Sequence, residues 1–210
     1  MQRRLTIAST IALISLLILP IAFATTPQDI IVKNDAGEDG ASITVASGGS
    51  WQTFKIPQKC KIEVVELYLM REGNITGWTL GFYYWNSSAN TLGSKIYEEN
   101  FTSPSSTYTK ANYTLSTPVQ LNSSAYTYAL HIKPYGDSSA LIGTKVDGDA
   151  YSGGSFWNYG QDTHTDMYFI LYGELLIDPS AIVYQWLPTI FTIVMMGIAF
   201  GMLTKLMRQR

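Results

Sequence analysis

Cysteine is all but missing from this chain: Cys60 is the only one in 210 residues, so no disulfide can form within it. A buried apolar core has to hold the fold instead, and a domain of roughly 150 residues can supply one. Histidine is almost as scarce, with His131 and His164 alone. That leaves little for catalysis by a nucleophile beside an imidazole, and no G-x-S-x-G, H-E-x-x-H or phosphate-loop pattern occurs. Between Asp29 and Asp178, nine Lys and Arg stand against sixteen Asp and Glu, a net charge of −7. A region of that sign offers no footprint for a phosphate backbone, so nucleic acid is not an expected partner.

Charge of either sign is absent from Ala181–Leu203. At about 1.5 Å per residue, a helix of that length spans a ~30 Å hydrocarbon layer with some tilt. Lys205, Arg208 and Arg210 follow the run, while Glu174 and Asp178 precede it. Short basic flanks stay cytoplasmic, so the region before Ala181 is expected outside the membrane, with a short tail, 204–210, inside. Residues 1–24 agree with this orientation. They carry Arg3 and Arg4, then the apolar stretch Leu5–Leu19, then the small-x-small triplet Ala22-Phe23-Ala24. This is the pattern of a secretory signal peptide cut after Ala24; an uncleaved anchor is the alternative, and both put the middle of the chain outside. Within the span, Gly197 and Gly201 form a G-x-x-x-G pattern that lets a second helix approach, so a homodimer through this helix is one expectation.

Five of the eight asparagines, Asn74, Asn86, Asn100, Asn112 and Asn122, head N-x-S/T sequons. With Ser and Thr at about one residue in five, chance gives roughly two, so these are expected glycosylation sites. Many sequons without disulfides fit an archaeal cell surface, or a virus of such cells, better than an animal or plant ectodomain.

After a polar lead-in, residues 25–40, with one short strand at Ile30–Val32, the region 41–178 reads as short strands separated by turns. The expected strands are Ala41–Ala46, Trp51–Ile56, Lys61–Arg71, Gly77–Trp85, Leu92–Phe101, Thr107–Leu115, Ala125–Lys133, Leu141–Val146 and Met167–Leu176. They are rich in Val, Ile, Thr and aromatics, and several alternate apolar with polar residues, as a sheet with one buried face requires. The Val64-Val65 doublet interrupts one alternation and predicts a bulge nearby. Pro118 and Pro134 are expected at strand edges, where a missing N–H is tolerated. No segment before Ala181 shows a sustained helical period, so the expected fold is an all-β sandwich ectodomain with one C-terminal transmembrane helix.

Trp51–Ile56, the strand ending Leu67–Gly73, Pro118–Leu121 with Tyr126–Leu130, Tyr151–Gly154 and Asp166–Gly173 follow one another in an order that resembles a known type of module. These are the secreted jelly-roll modules of archaeal, bacterial and viral surface proteins, similar to carbohydrate-binding modules and choice-of-anchor surface domains. The resemblance covers about 42–175 and implies a jelly-roll fold and a surface location; it does not carry a ligand across.

Two aromatic groups are candidate ligand sites. In GWTLGFYYWN, alternation puts Trp78, Phe82 and Tyr84 on one face and Tyr83 and Trp85 on the other, so one set can face solvent and stack on sugar rings while the other is core. In AYSGGSFWNYGQDTHTD, Tyr151, Phe156, Trp157 and Tyr159 lie in a Gly-rich loop, either binding a ligand or capping the sandwich. The candidate ligand residues are thus Trp78, Tyr83, Trp85, Tyr151, Trp157 and Tyr159.

Asp162, His164 and Asp166, at i, i+2 and i+4, share a face if the chain is extended there, which suits a divalent metal; facing water is the alternative. Asp35, Glu38 and Asp39, and Asp147 with Asp149, are better Ca²⁺ suppliers by atom type. The jelly-roll resemblance implies structural Ca²⁺ on such loops, although no cofactor is required. Glycoside hydrolysis needs only two carboxylates across a cleft, and sixteen acids supply many pairs, so a glycan-active enzyme stays open as a lesser alternative. The expectation is a non-enzymatic surface or viral-envelope glycoprotein that binds glycans or cell-envelope proteins or serves as envelope structure, with an accessory subunit of a larger membrane complex as the first alternative.

Overall fold

The computed structural model describes residues 28–36, 40–45, 47–136, 141–148, 151–176 and 179–207. The expected signal segment 1–24, Glu38, Asp39 and Asp149, and the basic residues Arg208 and Arg210 lie outside the described residues.

Among the described residues, thirteen strands make two antiparallel sheets. The first sheet contains β1 (Asp29–Asn34), β2 (Ala41–Val45), β4 (Cys60–Glu72), β7 (Thr109–Leu121), β9 (Leu141–Gly148), β12 (Thr165–Met167) and β13 (Phe169–Leu175). The second runs β11 (Gln161–Asp162), β10 (Phe156–Asn158), β3 (Ser50–Phe54), β8 (Tyr128–Gly136), β5 (Ile75–Asn86), β6 (Thr91–Thr102). In the first sheet β4 is the axis, with β7 along one side and β13 then β9 along the other.

Alternation decides what goes between the sheets. From β4 the buried set is Ile62, Val65, Leu67 and Leu69; from β5 it is Trp78, Leu80 and Phe82; from β8 it is Tyr128, Leu130 and Ile132. Phe54 of one sheet meets Phe169 of the other with ring centroids 6.0 Å apart, and Trp78 meets Tyr113 edge-on at 4.7 Å. Burying each such side chain stabilises the fold by about 1.5–3 kcal/mol, which is how the sandwich holds without a crosslink. Cys60 belongs to this core, and burial pushes its thiol up to about 11.

The bulge expected at the Val64-Val65 doublet sits at Glu63: both the β4–β7 and the β4–β13 registers shift between Ile62 and Val64. There β7 leaves the ladder, since Thr114 pairs with Val64 but the next pair is Val119 with Ile62, and Pro118 falls in that gap on an edge strand. Pro134 lies inside β8 rather than just after it, opposite Trp78. β3 ends opposite Ile132, so the other side of β8 has no ladder for proline to break. Part of the lead-in also belongs to the sheet, because β1 pairs with β13 from Asp29↔Gly173 to Asn34↔Phe169.

After β13 comes the one α-helix among the described residues, α1 (Pro179–Met207); it contains a 22-residue stretch, Trp186–Met207, long and apolar enough to cross a membrane, none of it buried. Two of its hydroxyls are satisfied by the helix itself, as lipid would demand: Thr192 Oγ1 donates to the Pro188 carbonyl at 2.8 Å and Thr204 Oγ1 to that of Phe200 at 3.0 Å.

Candidate functional site

The register of the second sheet assembles a row that no single stretch of sequence contains. Trp157 of β10 pairs with Trp51 of β3, Trp51 with His131 of β8, His131 with Gly81 of β5, and Gly81 with Glu98 of β6. Phe54, Phe82 and Leu130 point to the core from the same strands, so by alternation the row lies on the outer face. Tyr83 and Trp85, two and four residues beyond Gly81, complete it.

Ring contacts run through the whole cluster. Trp157 and Trp85 are 5.1 Å apart, Trp85 and Trp51 6.3 Å, Trp51 and His131 6.2 Å, and His131 and Tyr83 5.6 Å edge-on. Trp51 is 9% exposed and His131 6%, while Tyr83, Trp85 and Trp157 are half-buried, each presenting part of its ring to solvent. Two glycines make the room. A Cβ on Gly81 would lie 2.6 Å from the Tyr83 ring, and one on Gly49, which has φ +78°, would lie 2.2 Å from His131 Nε2.

The electrostatics of the patch are set by burial. His131 is pushed down to about 4, first by desolvation and then by Lys133, against the pull of Glu98 and the Gly48 backbone. At neutral pH its ring is uncharged. Tyr83 Oη donates to Glu98 Oε1 at 2.9 Å, and Lys95 Nζ to Glu98 Oε2 at 3.0 Å. The lysine holds the Glu98 carboxyl below its ordinary range, while burial and then Glu98 push the Tyr83 phenol up to about 12. The patch is thus aromatic and uncharged at one end, its neighbouring rings inclined by 45° to 86° to one another, with one carboxylate and one ammonium at the other.

The Gly-rich stretch is brought to this face by a hairpin that the sequence did not announce. Tyr159 and Gly160, with φ of +52° and +76°, form the two-residue turn between β10 and β11, a type I′ geometry matched to strand twist. Tyr159 stands at the tip, 66% exposed. The loop before β10 is clamped to β3: Thr53 N donates to the Ser155 carbonyl at 2.9 Å, Ser155 N to Thr53 Oγ1 at 2.7 Å, and a Cβ on Gly154 would lie 1.8 Å from the Thr53 carbonyl.

Two candidate ligand residues are corrected. Trp78 is fully buried, stacked on Phe101 at 5.3 Å, because its parity is that of Leu80 and Phe82. Tyr151 packs edge-on against Phe169 at 5.5 Å and belongs to the core rim. Trp51 and His131, which sequence reasoning did not include, take their places; the signal was that His131 is the polar interruption on the outer face of YALHIK.

The metal candidates do not converge. His164 adopts φ +52°, so the chain turns between β11 and β12, and Asp162, His164 and Asp166 are not three residues of one extended face. Asp162 Oδ1 accepts from the His164 N–H at 2.9 Å. Asp166 is fully buried and accepts from Gln52 Nε2 at 2.9 Å and the Tyr151 N–H at 2.7 Å. Asp35 is paired with Lys33 at 2.8 Å. Asp147 faces Asp166 across the β9–β12 ladder, and desolvation raises its pKa. Among the described residues no group of three or more His, Cys, Asp or Glu could hold a metal ion.

All five sequon asparagines are exposed. Asn86 Oδ1 accepts from the Ala89 N–H at 3.3 Å, Asn100 Oδ1 from Thr79 Oγ1 at 2.9 Å and Asn122 Oδ1 from Gln120 Nε2 at 2.8 Å. In these three the oxygen is engaged and the nitrogen, where a sugar attaches, is not. By contrast Asn34 and Asn158, outside any sequon, spend their nitrogens on the carbonyls of Met167 and Thr44. Asn74 lines a cleft of about 370 Å³ with Arg71, Gly73, Ile75 and Thr76, far from the rings. On α1, a Cβ added to Gly197 or Gly201 meets nothing within 4 Å.

The outer face of the first sheet carries a second aromatic group that sequence reasoning missed. Tyr168 and Tyr172 both donate to the Glu66 carboxylate, and Lys110 Nζ lies 5.2 Å from the Tyr168 ring. Its polar groups are engaged with one another. No protein-family model matches the chain, and no curated protein matches it.

Proposed function

We propose that this is a single-pass surface glycoprotein whose jelly-roll-like ectodomain, exported by a cleaved signal peptide, binds glycans through the Trp51–Tyr83–Trp85–Trp157 patch. The observation that carries the reading is the row of rings across four strands of one sheet face, of which Tyr83, Trp85 and Trp157 reach solvent, uncharged over most of its length. The apolar faces of pyranose rings stack on such surfaces, and the exposed Tyr159 at the hairpin tip supplies an edge for a longer chain. Glu98 and Lys95 at one end suit sugar hydroxyls as acceptor and donor.

Asn74, Asn100, Asn112 and Asn122 lie on or beside β4 to β7, and Asn86 directly follows Trp85 at the end of β5, so a sugar there would stand at the rim of the patch; β3 and β10, which carry Trp51 and Trp157, have no sequon. The apolar length of α1 and the basic residues that follow it in the sequence support an exterior setting for the sandwich, and an archaeal cell or its virus is the favoured source. Gly197 and Gly201 suit close approach of a second α1, giving a homodimer at the membrane.

The full chain in detergent, applied to an array of cell-surface glycans, tests the binding claim. Trp157→Ala and Trp85→Ala should each lower binding about fivefold or more, since a stacking loss of about 1–3 kcal/mol per ring, the range for flat rings on aromatic side chains, corresponds to roughly 5- to 150-fold. Glycan binding unchanged in both variants would remove the patch from consideration and leave a structural envelope role.

A further inference from the structure

The two long edge strands of the sandwich are β6, with 12 residues, and β7, with 13. Among the described residues β6 pairs only with β5 and β7 only with β4, so each has a side without a ladder. The other edges are short: β1 has six residues, β2 five, β12 three and β11 two. A long bare edge is a template for pairing with another chain.

Part of this hazard is met by protein groups. Where β7 leaves the ladder, the Ser116 N–H donates to Glu99 Oε2 at 2.9 Å and Tyr97 Oη meets Ser116 Oγ at 3.1 Å, so the two edges are tied to each other mid-length. β6 also carries Lys95, Glu98 and Glu99. β7, TKANYTLSTPVQL, has a single charge, Lys110, and Pro118 near its far end. Its Thr- and Tyr-rich middle has neither device, and its composition is that of a strand former.

Four sequons fall on or beside these two edges. Asn100 lies in β6, directly after Glu98 and Glu99, and Asn112 in β7, two residues beyond Lys110; Asn86 pairs with Thr91 at the start of β6, and Asn122 follows the last residue of β7. Asn112 is exposed, and Thr79 holds Asn100 by its oxygen with the nitrogen left for a sugar. We propose that N-linked sugars at Asn100 and Asn112 keep the β6 and β7 edges from pairing with a second copy of this chain. The proposal rests on the reading that the sequons are used. A host transferase would join each amide nitrogen to C1 of a lipid-phosphate-linked sugar, the amide losing a proton and the lipid phosphate leaving. The bulky, hydrated product next to a free edge excludes an incoming strand by volume.

The test uses the full chain made in its own host and purified in detergent, with glycopeptide masses for Asn100 and Asn112. Self-association is read by light scattering with the detergent subtracted, over a concentration series, relative to wild type so that any pairing through α1 is common to all samples. N100Q/N112Q and, independently, T102A/T114A should shift from the wild-type mass to dimers and larger species, with strand content rising as they form. N74Q, which loses a sequon in a turn, should match wild type. N100K/N112K, which has no sugar but carries an edge charge, should stay at the wild-type mass. The proposal is overturned by bare Asn100 and Asn112 peptides in wild type, by N100Q/N112Q and T102A/T114A variants that keep the wild-type association state, or by association of N74Q or N100K/N112K equal to that of N100Q/N112Q. None of these results bears on glycan binding at Trp157, whose failure would appear on the array instead.

Discussion

Gln52 is the side chain that joins the two sheets beneath the aromatic hairpin, and replacing it has a calculable cost. It is fully buried on the inner face of β3; its Nε2 donates to Asp166 Oδ1 at 2.9 Å and the Thr53 carbonyl at 3.1 Å, and its Oε1 accepts from the Met167 N–H at 2.8 Å. Gln52→Leu is close in volume, so the loss is polar. The Met167 N–H has no acceptor and the buried Asp166 carboxylate is one donor short. Each orphaned group costs about 1–3 kcal/mol, the charged one at the upper end, for a total of about 3–5 kcal/mol. For a chain of this size that lowers the melting temperature by roughly 6–20 °C. Gln52→Glu separates charge from packing. One oxygen can still accept from Met167, but the other faces the Asp166 carboxylate, and two such neighbours cannot both ionise cheaply. The folded state then binds a proton that the unfolded state releases at neutral pH, so stability falls as pH rises above the ordinary carboxyl range. The deficit of Gln52→Glu against wild type should therefore be largest near pH 7 and shrink toward pH 4. Urea titrations of the three proteins at both pH values measure this. A Gln52→Leu protein within about 1 kcal/mol of wild type, or a Gln52→Glu deficit independent of pH, would refute the assignment of this network as the tie between the sheets.

His131, held at about 4 by burial, binds fewer protons folded than unfolded between that value and its ordinary 6.5. Wild-type stability should thus decline as pH falls through this window, by about 3 kcal/mol in full; His131→Gln should lack that portion of the slope in urea titrations at pH 7 and pH 4, and parallel slopes would contradict the burial argument. For the membrane helix, Gly201→Ile places a branched side chain where nothing now stands within 4 Å. Cross-linking in native membranes should yield fewer dimers than wild type; an equal yield, or no dimer in wild type, would end the G-x-x-x-G reading.

Much of the architecture was legible because it depends on near neighbours in the chain. Period-two alternation gave the strand at 61–71 and the buried side of 128–133, although β8 begins only at Tyr128 and leaves Tyr126 in an exposed turn; the Val64-Val65 doublet marked the bulge now found at Glu63, and the uncharged run from Ala181 gave a helix long enough for a membrane. Parity alone already grouped Tyr83 with Trp85 and separated them from Trp78. Where local reasoning failed, a single torsion intervened. The i, i+2, i+4 argument for Asp162, His164 and Asp166 assumes an extended chain, and the left-handed His164 removes that condition.

By itself the sequence determined which residues alternate, which run is apolar enough for lipid, and which asparagines can carry sugar, since each of these is a property of a few consecutive residues. Only the tertiary structure decided that Trp51, Glu98, His131 and Trp157 share one surface, and that Asn100 and Asn112 lie on the two long open edges. Strand order and register are set by the packing of distant segments against a common core, and a one-residue slip would turn every one of these side chains to the other face.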